Sequence, residues 1–356
     1  MPDRCYVDQK ELLSKFNVEE LDMELIARGS QIHAEERFKF KDMEGTPERE
    51  IIMTQVKELY DTAPPLNQAF SHIDTWELVE KLIQGMCGKR GIWFKDDRID
   101  CFEITDEQIK RNTNCVAAIC MKDNLIDKEK GFSTLKVKNY GKAFNLCNCE
   151  PFHHQPIAIG RLCTGFLVKD DVIATAGHCA NENNVTDLRI VFGYKMLNPF
   201  TPVTWIPNEN IYKGEKIIHR VCKRTGNQSD WALIKLDRKV EGREVVTLSY
   251  KEISRDKPVY IIGHPLGLPL KYAPGAQVRD INDTYFAADL DVYCGSSGSP
   301  VFDSKTHEVI GIVVRGDSRD FRWTGKGWVS VIYSRSDIHS QKPQCTRVSE
   351  FIRYCG

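Results

Sequence analysis

Apolar positions recur at helical spacing through the first ~88 residues and then change rhythm. Asn17, with Glu20 three positions on, reads as the cap of a helix whose stripe is Leu21 and Leu25 and whose stop is Gly29. Thr46-Pro47 opens a second helix with Ile52, Val56 and Leu59 on one face. Trp76, Val79 and Ile83 mark a third that ends near Gly85 and Gly88. These stripes are read as packing faces. Beyond Lys89-Arg-Gly91 and the charged Lys95-Asp-Asp-Arg98, taken as a boundary, short β-rich runs alternate with turns. Val116–Cys120, Arg161–Val168, Val172–Thr175, Leu188–Phe192, Ala232–Leu236, Pro258–Ile262 and Val309–Val314 are predicted strands. That many short strands suit a pair of antiparallel barrels, and no internal repeat relates the two. The expected organisation is an α-helical adaptor or regulatory domain over 1–90, or a purely structural appendage, followed by a β-rich domain over 91–356. Its first barrel spans about 110–240 and its second about 245–345.

Composition narrows the partners. The chain has 356 residues, 41% hydrophobic and 28% charged, with a formal charge of -1 and no long basic block. Nucleic acid and anionic membrane are therefore not expected as partners. No apolar run approaches the ~18 residues of a membrane span. Met1-Pro-Asp-Arg-Cys5, followed by Lys10, Glu11 and Lys15, lacks the apolar core of a leader, so a cytoplasmic location is expected. The thirteen cysteines are an odd number, which favours reduced thiols over a disulfide framework.

Three fragments bring in chemistry: Thr175-Ala-Gly-His-Cys179, Ser229-Asp-Trp-Ala-Leu233 and Gly295-Ser-Ser-Gly-Ser-Pro300. Taken singly they read as a core histidine, a turn aspartate and a glycine-serine loop. Taken together they supply a nucleophile, Ser297, a general base, His178, and an orienting carboxylate, Asp230. A serine hydroxyl needs such a base, and the base needs a group that fixes its tautomer. The backbone N–H groups of Gly295 and Ser297 are candidates for an oxyanion hole. The order His, Asp, Ser is that of the chymotrypsin-type double barrel.

At these residues the chain resembles the trypsin-like serine peptidase family, from about Cys115 to the end. Cys163-Thr-Gly-Phe-Leu-Val168, Ile310-Gly-Ile-Val-Val-Arg-Gly316 and Thr346-Arg-Val-Ser-Glu-Phe-Ile352 carry the likeness beside the three fragments. Ile262-Gly-His-Pro-Leu-Gly-Leu-Pro-Leu-Lys271 and Gly298-Ser-Pro-Val-Phe302 are closer in style to bacterial members related to glutamyl-peptidase and HtrA-type enzymes. The resemblance implies a mainly β fold: two six-stranded antiparallel barrels and a C-terminal helix over 346–355, preceded here by the small α-helical domain. It further implies an acyl-enzyme mechanism on a protein or peptide substrate, with no cofactor and no metal.

Departures from the family pattern matter. Ser296 stands where animal trypsins have an aspartate, so their activation switch is not expected. Val314 and Arg315 replace the serine and aromatic of the cleft strand, which leaves Asp230 in need of another partner. Cys294 precedes the oxyanion glycine and is read as a passive small residue or a redox-sensitive thiol. Asp291, with Val314, Arg315 and Gly316, falls where the family builds its specificity pocket. Asp291 is either a site for a substrate Lys or Arg, or a strand-end residue. Cys163 and Cys179 hold positions that form a disulfide in secreted relatives, and are expected as a disulfide or adjacent thiols. Cys147, Cys149, His153 and His154 lack standard zinc spacing and are read as loop residues, and His264 as a loop-shaping residue. The expected function is a cytosolic serine endopeptidase, regulated by residues 1–90 or by a partner bound there. The rivals are a non-catalytic protease-fold binding module, a partner-activated enzyme and an esterase.

Overall fold

The β-rich runs close into two antiparallel six-stranded barrels. The computed structural model describes residues 92–93, 96–160, 162–222, 229–316, 320–324, 327–333 and 342–355, and the helices expected within 1–90 lie outside these. A short strand β1 (Ile99–Asp100) is followed by helix α1 (Glu107–Asn114), which Asp106 caps through the N–H groups of Gln108 and Ile109. Strands β2 (Val116–Met121), β3 (Leu162–Lys169), β4 (Val172–Thr175), β5 (Leu188–Phe192), β6 (Ile211–Cys222) and β7 (Asp230–Leu236) follow. They form the first barrel in the order β5-β6-β7-β4-β3-β2, with β2 closing on β5.

The second barrel uses β8 (Pro258–Gly263), β9 (Lys271–Ile281), β10 (Tyr285–Ala288), β11 (Pro300–Asp303), β12 (Val309–Arg315) and β13 (Gln344–Arg347). Its order is β8-β11-β12-β13-β10-β9, closed by β8 on β9, and β1 adds to the free edge of β9. Closure pairs the terminal strands of each barrel with one another instead of leaving them as sheet edges. β3 and β7 are buried along almost their whole length, so they read as continuous apolar runs rather than alternating ones. Phe166, Ile190, Leu233 and Trp231 pack with Tyr260 and Phe302, while Val259, Phe286, Val301 and Val313 fill the second barrel.

The C-terminal segment differs from the expected helix. Thr346 and Arg347 complete β13, where Thr346 pairs with both Tyr285 and Ile312, and two 3-10 turns, Val348–Glu350 and Ile352–Tyr354, replace an α-helix. Two-sided ladder pairing and the burial of Cys345 and Thr346 outweigh local preference there. Arg98, read as part of a charged boundary, is buried. Residues 141–153 and 319–331 belong to a different compact unit from the barrel strands. In it, Phe321–Trp323 pairs with Trp328–Ser330, Glu150 accepts from the Ser330 N–H and hydroxyl, and Cys147 is bonded to Cys149. Among the described residues, no helix is long and apolar enough to cross a membrane.

Candidate active site

The register of β4 and β7 brings His178 to Asp230. Ala232 pairs with Thr175 and Leu233 with Ala174, so Asp230, which opens β7, lies beside the turn that follows β4. His178 Nδ1 lies 2.7 Å from Asp230 Oδ2, and the His178 backbone N–H donates to Oδ1 at 3.0 Å. A carboxylate only accepts, so Nδ1 carries the proton and Nε2 is left as the basic nitrogen. Asp230 is fully buried, and these bonds offset its desolvation.

Val314 offers Asp230 no hydroxyl, and Thr346 supports the peptide of Asp230 instead. Its Oγ1 accepts from the Asp230 N–H and donates to the Asp230 carbonyl, both at 3.1 Å. The Arg220 Nε–H donates to the Gly177 carbonyl at 2.6 Å and holds the turn before the histidine. A Cβ on Gly177 would stand 2.9 Å from Asp230 Oδ1, so only glycine lets the histidine turn close on β7.

Ser297 lies between β10 and β11, three residues before Pro300. Its loop is held mainly through carbonyls. The Thr164 N–H donates to the Ser297 carbonyl and the Thr164 hydroxyl to the Gly295 carbonyl, each at 2.9 Å. The same hydroxyl accepts from the His264 N–H at 3.1 Å. The Leu266 N–H donates to the Cys294 carbonyl at 2.5 Å, and the Gly298 N–H to the Val313 carbonyl at 2.7 Å. A trans peptide directs its N–H away from its carbonyl, so the bond from Leu266 also orients the Gly295 N–H. Among the described residues, no acceptor is bonded to the N–H of Gly295 or of Ser297. Gly295 has φ +91° and Gly298 φ +89°, a region that favours glycine.

Cys163 and Cys179 are joined by a disulfide with Cα atoms 6.2 Å apart, tying the turn after His178 to β3 beside Thr164. The two barrels' contributions are thereby fixed to neighbouring residues of one strand. Cys163, His178 and Cys179 are grouped closely enough to hold a metal, but the disulfide withdraws both thiolates.

Of the expected specificity residues, Asp291, Val314 and Gly316 are buried and Arg315 is half-buried, with Nη1 3.3 Å from Gln344 Oε1. Asp289 is committed elsewhere: it accepts from Arg279 Nε at 2.7 Å and from the Gln277 N–H. Buried Lys342 has its ammonium pushed below the usual lysine range by burial, against the attraction of Asp280 and Asp289. His264 is stacked on Tyr194 at 5.6 Å, bonded through Nδ1 to the Leu268 carbonyl, and pushed down to about 4 by burial. Its loop-shaping place is beneath the Ser297 turn.

Thr164, Thr346 and Leu266 have no site role in the sequence expectations. Thr164 leaves one signal: a lone hydroxyl inside the buried run Leu162-Cys-Thr-Gly-Phe-Leu-Val168 must find partners. Leu266 acts through its backbone and leaves none.

Two closed barrels, with a histidine and a buried aspartate on one and a glycine-bounded serine turn on the other, define a chymotrypsin-like architecture. Residues 163–312 match the model of the trypsin-like peptidase domain, so the chain carries such a domain. Among solved structures, it is similar to the active form of a protease from M. tuberculosis, at 13% identity and TM-score 0.41, covering 74% of this chain and 87% of that one. It is also similar to a Glu endopeptidase, at 15% identity and TM-score 0.43, covering 74% and 98%. A third is an inactivated protease paralogue of the scabies mite, at 13% identity and TM-score 0.44, covering 73% and 94%.

Proposed function

We propose that the chain is a serine endopeptidase. Ser297 Oγ attacks a peptide carbonyl and gives its proton to His178 Nε2, while the N–H groups of Gly295 and Ser297 receive the oxyanion. The imidazolium, stabilised by Asp230, then protonates the leaving amine. Water, deprotonated by the same nitrogen, releases the acyl group and restores Ser297. The observation that carries this reading is the 2.7 Å bond from His178 Nδ1 to Asp230, which leaves Nε2 basic. The Gly295 and Ser297 amides, which donate to no acceptor among the described residues, support it. No step calls for a metal or cofactor.

A cytosolic location accords with the thiols of Cys101, Cys115 and Cys120, which are buried, unpaired and pushed up to about 11, 12 and 12 by burial. In a reducing compartment the Cys163–Cys179 bond is open to reduction. Regulation by residues 1–90 or by a partner bound there belongs to the same proposal.

A fluorophosphonate probe on the full-length chain tests the reading. The expected result is a phosphonyl adduct on Ser297, with fluoride leaving, and none in Ser297→Ala. Absence of an adduct on folded full-length protein overturns a self-sufficient peptidase and favours the partner-activated enzyme or the binding module.

A further inference from the structure

The turn that carries Ser297 has a neutral residue, Ser296, before the nucleophile. Its first half is closed on Tyr293: the Ser296 N–H donates to the Tyr293 carbonyl at 3.0 Å, and the Tyr293 N–H donates to Ser296 Oγ at 3.3 Å. These two bonds couple the Gly295–Ser296 peptide to the Tyr293 backbone. The Tyr293 ring is fully buried, and the guanidinium of Arg98 lies 4.6 Å from its centroid.

Arg98 comes from the segment that leads into the first barrel. Its side chain is buried and gripped by Asp96, with Nε to Oδ1 at 2.8 Å and Nη2 to Oδ2 at 2.7 Å. A desolvated guanidinium over an aromatic face gains more than an exposed one. The segment is locked two residues later. Asp100 and Ile99 pair with Lys271 and Tyr272 of β9. Asp100 also binds the Lys271 ammonium and, at 2.6 Å, the Gln155 amide, whose oxygen accepts from Lys271 at 2.7 Å. All three side chains are buried, and each supplies the partners the others need.

We propose that residues 96–100 form a fixed strap that positions the Gly295–Ser297 turn, with Arg98 acting through Tyr293 as a positioning residue. The strap does through a cation on a buried ring what a charge beside the nucleophile would do directly. Its kinetic consequences rest on the peptidase reading; its structural consequence does not.

The test uses the full-length chain in two ways. The first is the rate of fluorophosphonate labelling of Ser297. Arg98→Met is expected to lower it about 10²-fold, the scale of a small misplacement at an active site. Arg98→Lys, which keeps a cation over the ring, is expected to recover most of the rate. Tyr293→Leu is expected to match Arg98→Met, and the double variant to be no slower than either. The second readout is hydrogen exchange of the 293–299 amides, which Arg98→Met is expected to speed about tenfold or more while leaving 176–179 unchanged. Labelling within twofold of the parent in folded Arg98→Met, or multiplying losses in the double variant, overturns the strap. So does unchanged exchange in 293–299. If Arg98→Met fails to fold, Tyr293→Leu decides by the same criteria. If the parent takes no label, the peptidase reading fails and the exchange experiment still decides the strap.

Discussion

Asp230 opens a strand of one barrel, His178 lies in the turn after the neighbouring strand, and they meet side chain to side chain, whereas Ser297 stands in a loop of the other and is held through neighbouring carbonyls. The first pair is set by the β4–β7 register, with Thr346 and Arg220 bracing the backbone. The serine turn depends on Thr164, Leu266, Val313 and Tyr293, which lie on separate segments of the chain. A histidine–aspartate pair built on paired strands tolerates change around it, because the ladder fixes the geometry. A loop bound by its carbonyls is sensitive to any atom that displaces one of them. Perturbations of equal size are therefore expected to cost more on the Ser297 side.

Gly298→Ala attacks that side hardest. Its Cβ would overlap the Thr164 carbonyl, and at φ +89° the added residue is strained in any case. Labelling of Ser297 is expected to fall about 10²–10³-fold, the scale of losing an oxyanion donor. His178 chemical shifts should move little. Equal disturbance of both halves would break the comparison.

His264 offers a subtler probe, because its backbone bonds to Thr164 and its carbonyl lies beneath Gly295. Its folded value of about 4 lies below the ordinary 6.5 because burial disfavours the cation. Between these values the unfolded chain binds the proton and the folded chain does not. Stability is thus expected to fall as pH drops from about 6.5 to about 4, by up to about 3 kcal/mol. Urea unfolding across that range should show the slope, and His264→Asn, which can keep a donor to the Leu268 carbonyl, should lack it. The same slope in the variant would assign the loss to other groups.

Thr164→Val is expected to have the smallest effect. It removes the hydroxyl that donates to the Gly295 carbonyl and accepts from the His264 N–H; the bond to Gly295, worth about 1 kcal/mol, corresponds to roughly a fivefold slower labelling. Thr164→Ser should restore the rate. A loss as large as that of Gly298→Ala would make the hydroxyl, rather than the backbone, the principal support of the turn.

The same division governs what was legible in the chain. Val172–Thr175 and Leu188–Phe192 are strands over the residues that their apolar runs predict. The long β6 and β9 are not legible. β6 has a glycine, many charges and two register shifts, and β9 carries Pro274 and Gly275. Three short motifs mark the residues proposed for the chemistry, because each needs its neighbours in sequence. Their supports are distant: Thr164 reaches Gly295 across 131 positions, and Thr346 reaches Asp230 across 116. Arg98 sits in a charged run that reads as a boundary, and only the fold shows that it covers a buried ring. The C-terminal strand was hidden for a similar reason, since Thr346 is recruited by β10 and β12 rather than by its own segment.

The most direct test is to trap the covalent intermediate. The full-length chain would be mixed with a p-nitrophenyl ester and quenched in acid within the first turnover, and its peptides weighed. The account predicts one acyl group on the peptide containing Ser297, its loss on longer incubation, and none in His178→Ala. An acyl group on another residue, or none on folded protein while p-nitrophenol is released, would contradict it.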